Sequence, residues 1–188
     1  MFFTAVAVVV GLALGLLTGG RLEHLGNRRF RAPALLAAGL VVQAASGRFG
    51  GGTVALVIVS YLFLMAFCAA NLRLVGMGVV LLGLAMNFTT IAVNGGMPVR
   101  RSAVVAAGIA EWHELDDLEI HDKRHLERSD DDLMFLSDII PVPVLGEVLS
   151  FGDLVMSVGV ADVLFHLLRP PPGRRYEEDG TNASSRER

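Results

Sequence analysis

The residues most able to do chemistry crowd into one acidic stretch. Between Glu111 and Asp132, ten acidic residues stand against Lys123, Arg124 and Arg128, and His113, Asp117, His121 and His125 recur at four-residue steps. If 111–127 is helical, that step is about one turn and the four side chains form a stripe. His121 and His125 then have the i, i+4 spacing at which two imidazoles reach one metal ion. The stripe as a whole would be ~18 Å long, so its ends cannot share an ion. It also lacks the His-Glu-x-x-His order of a zinc peptidase. A solvated charged helix is the commoner use of such a block. His121 and His125 therefore stand only as weak metal candidates, and no cofactor is expected.

A second set of polar residues lies in apolar surroundings. Asp153, Gln43, Asn87 and Asn94 all interrupt or end apolar runs. A carboxylate near a bilayer centre costs roughly 2.5–3.5 kcal/mol, so its presence asks for a reason. Asp153 is five residues into the run that opens at Val148, ~7.5 Å from its end if that run is helical. These residues could line a polar cavity. Alternatively, Asp153 caps its helix, where a negative charge suits the N-terminal dipole. Asp162 and His166, four apart, are read as a pair near the inner headgroups with Arg169. No glycine-rich phosphate loop, nucleophile elbow or thiol pair appears, and Cys68 is the single cysteine.

The elements that must position these residues follow from composition. Of the 188 residues, 53% are hydrophobic and 19% charged, with the charges confined to a few stretches, and the mean hydropathy is +0.54. A soluble domain needs charge along its whole surface. Five apolar runs, Phe2–Thr18, Ala32–Ser46, Thr53–Ala70, Leu74–Val93 and Val148–Leu168, predict about five transmembrane helices at ~20 residues each. No Lys or Arg precedes the first run, so it is read as a span and not a signal peptide. A net charge of −3 without a basic cluster argues against nucleic acid as a partner.

Placing the first and third connections and the tail in the cytoplasm collects ten of the sixteen basic residues there, which predicts an outside N-terminus and a cytoplasmic C-terminus. The long connection, 94–147, then lies outside. It opens with Asn94-Gly95-Gly96-Met97-Pro98, where glycine permits positive φ and proline halts a helix. Ser102–Trp112 and Leu133–Leu145 are apolar but too short to cross, and read as interfacial or re-entrant. The polar tail after Leu168 reads as disordered.

Small residues complete the pattern. Ala7, Gly11, Gly15 and Gly19 recur every fourth residue, and Ser150/Ser157 and Gly152/Gly159 are each seven apart. Such faces serve dimerisation or packing within one bundle, and the second is preferred.

Taken in order, Asn94-Gly95-Gly96-Met97-Pro98-Val99 after an apolar helix, Arg124-His125, Leu136-x-Asp138-Ile139-Ile140-Pro141-x-Pro143, and Ser150-x-Gly152-Asp153 opening the last helix resemble a bacterial membrane-protein family, domain of unknown function 5317. The resemblance covers roughly residues 1–168. It implies a small multi-span inner-membrane protein and carries no established activity. Pro and Gly at membrane depth need partners or a wet cavity for their freed backbone groups. The three motifs are therefore expected to fold into one outer polar site, with Asp153 and Asn94 at its centre.

The expectation is an all-α membrane bundle: a four-span part (1–93), an outer cap (94–147), a last span (148–168) and a cytoplasmic tail (169–188). Its partners would be the lipid bilayer and a membrane protein or a second copy. The ligand candidates are Gln43, Asn87, Asn94, Gly95, Gly96, Pro98, His125, Asp138, Pro141, Pro143, Ser150, Gly152 and Asp153. Gly11, Gly15 and Gly19 are assigned to helix packing. A non-enzymatic component ranks first, a small transporter or ligand-binding protein second. A lipid-directed enzyme using Asp153 and His125 ranks third.

Overall fold

The computed structural model describes residues 2–26, 29–46, 53–118 and 123–169. Five longer helices carry the apolar runs: α1 (Phe2–Leu17), α3 (Pro33–Ser46), α4 (Thr53–Ala70), α5 (Met77–Asn94) and α7 (Phe151–Leu167), with a short α2 (Glu23–Gly26) after α1. Between α5 and α7 the chain builds a cap from β1 (Met97–Val99), α6 (Arg101–Ala106), β2 (Arg124–Leu126), β3 (Ile140–Val142) and β4 (Glu147–Leu149). The protein is thus mostly helical, but not all-α. Among the described residues one helix, Met77–Asn94, is long and apolar enough to cross a membrane; Phe3–Leu17, Pro33–Ser46 and Val54–Ala70 are apolar but shorter.

α7 packs against both α1 and α5, while α4 packs against α3 and α5. Glycine decides how close these helices come. A Cβ on Gly83 would stand 2.5 Å from Met156 N and 2.7 Å from Gly152 O, and one on Gly159 would stand 2.5 Å from Val80 N. Backbone touches backbone along the α5–α7 seam, which only a missing side chain permits. Gly11 fits against the Ala161 backbone and Gly15 against Leu168, so the first helix uses its smooth face inside the bundle. Gly19 departs from that stripe: its φ of +88° turns the chain, and no atom lies within 4 Å of its Cβ position. At this end Arg21 N donates to Leu168 O (2.9 Å). The buried Asn71 carboxamide accepts from Arg31 N and donates to Arg31 O, both at 2.8 Å.

The cap has a core of its own, formed by Val99, Ala103, Val104, Ala107, Leu115 and Val148. β1 and β2 pair in parallel, Met97 opposite Arg124 and Val99 opposite Leu126. β3 and β4 are antiparallel, Ile140 opposite Leu149. A bridge between Val99 and Asp138 joins the two ribbons.

Several expectations fail here for identifiable reasons. The 111–127 segment is not one helix: a single 3-10 turn, Trp112–Glu114, is closed by reciprocal bonds between Glu111 and Glu114, and Arg124–Leu126 is a strand. His113 and His125 therefore share no helix face, and His121 lies outside the described residues. Leu133–Leu145, read as a re-entrant or interfacial segment, holds no α-helix. It is a 3-10 turn at Met134–Leu136 followed by β3, because Leu133 adopts φ 54° and 140–142 finds β4 as a partner. Within Ser102–Trp112 the α-helix ends at Ala106, the last residue of the short α6, with Ala103 and Val104 buried in the cap core. The last helix begins at Phe151, since Val148 and Leu149 are taken by β4. The fourth begins at Met77, after a turn through Gly76 at φ 86°. The tail lies outside the described residues.

Candidate functional site

The polar groups converge where the cap meets α4, α5 and α7. The α7 N-terminus supplies the first part. Ser150 Oγ accepts from Asp153 N (2.9 Å) and the Asp153 carboxylate accepts from Ser150 N (3.2 Å), a reciprocal cap that satisfies two orphan amides. Asp153 therefore sits in the first turn of α7, not five residues in. It is also bound to α5. Asn87 Nδ2 donates to Asp153 Oδ1 at 2.7 Å, and Ser150 Oγ donates to Asn87 Oδ1 at 2.9 Å. Asn87 and Ser150 are buried. A Cβ on Gly152 would collide with the Asn87 carboxamide, so this glycine makes room for the pair.

β2 supplies the cations. Met97 N donates to Lys123 O at 2.6 Å, fixing that chain against β1. The Lys123 ammonium reaches the buried Tyr61 of α4, donating to its hydroxyl at 3.0 Å with Nζ 5.1 Å from the ring centroid. Burial alone would lower the Lys123 pKa, but Tyr61 and the Asp153 carboxylate outweigh it and hold the ammonium above its ordinary value. Arg124 Nε stands 2.9 Å from Asp138 Oδ2, with Asp138 only 1% exposed. The approach is close but misaligned, and neither Asp138 oxygen takes a hydrogen bond from a described residue. Burial pushes Asp138 up to about 7; Arg124 opposes this, Asp153 adds to it and Lys123 opposes it weakly.

His125 stands beside this cluster. Its Nε2 lies 3.0 Å from Asp131 Oδ1 and its Nδ1 packs where a Cβ on Gly96 would be, at 2.8 Å. Asp131 also accepts from Arg128 N at 2.7 Å. Among the described residues no three His, Cys, Asp or Glu side chains converge as a metal site requires.

The three sequence motifs therefore meet in one place, but not around Asn94. Its side chain donates to Thr90 O and Asp132 O and accepts from Asp132 N (2.9, 2.9 and 2.7 Å), closing the end of α5. Gly95 supplies the left-handed cap there at φ 64°, and Pro98 is buried in β1. Gln43 is elsewhere, within 2.9 Å of Ser60 Oγ on the α3–α4 contact. Pro141 and Pro143 are exposed on the β3–β4 hairpin. Asp162 and His166 pair within α7, Oδ1 to Nδ1 at 3.0 Å. Sequence reasoning passed over Tyr61 and Lys123. The signal was composition: one lysine in the chain, and one of two tyrosines inside an apolar helix.

No curated protein and no solved structure matches the chain. A family profile does match, over residues 27–165, which takes in every element of the junction from Tyr61 to Asp153, and by that match the chain belongs to the family of unknown function DUF5317.

Proposed function

We propose that the protein is a non-enzymatic, multi-pass component of a bacterial inner membrane, with its cap outside and its C-terminus in the cytoplasm. The observation that carries this reading is the apolar outer surface of the helices. Large apolar side chains face outward, among them Val9, Leu17, Val41, Leu62, Leu82 and Val158, while Ser60, Asn71, Asn87, Thr90 and Ser157 are buried. Water would oppose that arrangement and hydrocarbon favours it. At ~1.5 Å per residue the spans are a little short for a ~30 Å core, so flanking residues and local thinning complete the crossing.

Topology can be tested in a Cys68→Ser background with single cysteines at two exposed positions, Val144 in the cap and Leu72 after α4. A membrane-impermeant maleimide should label Val144→Cys in intact cells, and Leu72→Cys only after permeabilisation. Labelling of both, or the reverse pattern, would overturn the orientation.

As a component, the protein should travel with something. Native mass spectrometry after gentle extraction should show a second polypeptide or a second copy. A bare monomer in every preparation would count against the subunit reading. Asp138, whose oxygens accept no hydrogen bond from a described residue, favours a second reading: a small transporter or ligand-binding protein that uses the junction under the cap.

A further inference from the structure

Asp138 occupies the joint between the two ribbons of the cap. Its backbone N donates to Pro98 O (3.1 Å), its backbone O accepts from Arg100 N (3.0 Å), and the next amide, Ile139 N, donates to Leu149 O (3.1 Å). β1, the residue that opens α6 and β4 thus hold this stretch in place, while the Asp138 carboxylate is enclosed without an aligned donor among the described residues. An ionised carboxylate in that position lacks the hydrogen bonds that would stabilise its charge, whereas the protonated acid carries only the smaller desolvation cost of a neutral polar group.

The surrounding charges leave the balance close. From β2, Arg124 attracts at 2.9 Å, and Lys123 acts on Asp138 more weakly. From α7, Asp153 repels. His125 is turned to Asp131 and the Arg100 guanidinium to Glu127, at 3.0 and 3.9 Å. Glu147 lies at the far end of β4, opposite Val142.

We infer that Asp138 is a proton-binding site built into the joint of the cap, and that loss of its proton loosens the contact between the β1–β2 ribbon and the β3–β4 hairpin. This goes beyond the membrane reading and does not depend on it. The closed joint holds the proton more tightly than the opened chain does. The contribution is therefore full below the unfolded pKa, near 3.8, and is lost as pH rises through about 7. With those two values, the opening equilibrium should rise about thirtyfold between about pH 5.5 and about pH 8.5.

Hydrogen exchange on the full chain in lipid nanodiscs, corrected for intrinsic rates, reads this directly. Protection at Asp138, Ile139 and Arg100 should fall with rising pH in the wild type and stay level in Asp138→Asn. Infrared titration of the wild type supplies a readout that needs no variant to fold: a protonated carboxyl band should vanish with a midpoint near neutrality. Arg124→Gln, which removes the attracting charge, should move that midpoint upward by about one unit or more. Flat protection in the wild type, no carboxyl band titrating above about pH 6, or an unmoved midpoint in Arg124→Gln would each overturn the proposal.

Discussion

Gly83→Ala and Gly78→Ala, five residues apart on α5, should move stability in opposite directions. At Gly83 the added methyl meets backbone: Met156 N at 2.5 Å, Gly152 O at 2.7 Å and Met156 Cα at 2.8 Å. No rotamer change relieves a backbone clash, so α5 and α7 must separate. Their separation also loosens the buried residues around Met77, Val80 and Leu84. Overpacking of this kind costs about 1–3 kcal/mol, and here the upper end is expected because all three contacting atoms belong to regular helix. At Gly78 the nearest atom is Leu72 Cδ2 at 3.8 Å, an ordinary contact. Alanine there gains up to about 0.5–1 kcal/mol from reduced backbone freedom in the unfolded chain. Thermal unfolding in one detergent should place Gly83→Ala well below the wild type and Gly78→Ala at or above it. Equal tolerance of both would mean that α5 and α7 do not touch along this seam.

That seam was half legible in the sequence. Gly152 and Gly159, seven apart, announce one smooth face of α7, and the partner follows only from the fold, where Gly83 and Val80 meet it. The five apolar runs likewise announce their helices, because a long hydrophobic segment leaves little else for its backbone to do. Their ends are less legible. Val148 and Leu149 belong by composition to the last run, yet they pair with β3 residues that only the turned chain brings alongside. The cap defeats local reading for the same reason. Its strands are three residues each, too short for a period of two to declare itself, and Met97 finds Arg124 across a stretch whose histidine spacing imitates a helix. Polar partners were no easier to read. Lys123 and Tyr61 are 62 positions apart and Asn87 and Asp153 66. No spacing rule spans such distances, although Asn87 and Asp153, polar residues within apolar runs, stand out as residues that need partners.

The Asn87–Asp153 contact yields the second large effect, and a rescue that a merely structural disturbance would not give. Asn87 performs two tasks with one carboxamide: its Nδ2 donates to Asp153 Oδ1 at 2.7 Å and its Oδ1 accepts from Ser150 Oγ at 2.9 Å. Asn87→Asp keeps the shape and the acceptor but replaces the donor, so two carboxylates face each other inside the junction. With Asn87 buried and no room beside Gly152, the side chains cannot turn apart. A loss of about 2–4 kcal/mol is expected, read as a lower unfolding temperature and a smaller folded yield. Adding Asp153→Asn restores the pair with its roles exchanged: residue 153 donates, residue 87 accepts from it and from Ser150 Oγ, and the amide oxygen at 153 still accepts from Ser150 N. The double variant should recover most of the loss, a coupling of about 1–3 kcal/mol in the double-mutant cycle. Asp153→Asn alone should cost less than Asn87→Asp, because two amides can still share one hydrogen bond. If the double variant were no more stable than Asn87→Asp, the contact would not be what holds the start of α7 to α5, and the junction would have to be closed by Lys123 and Tyr61 on its other side.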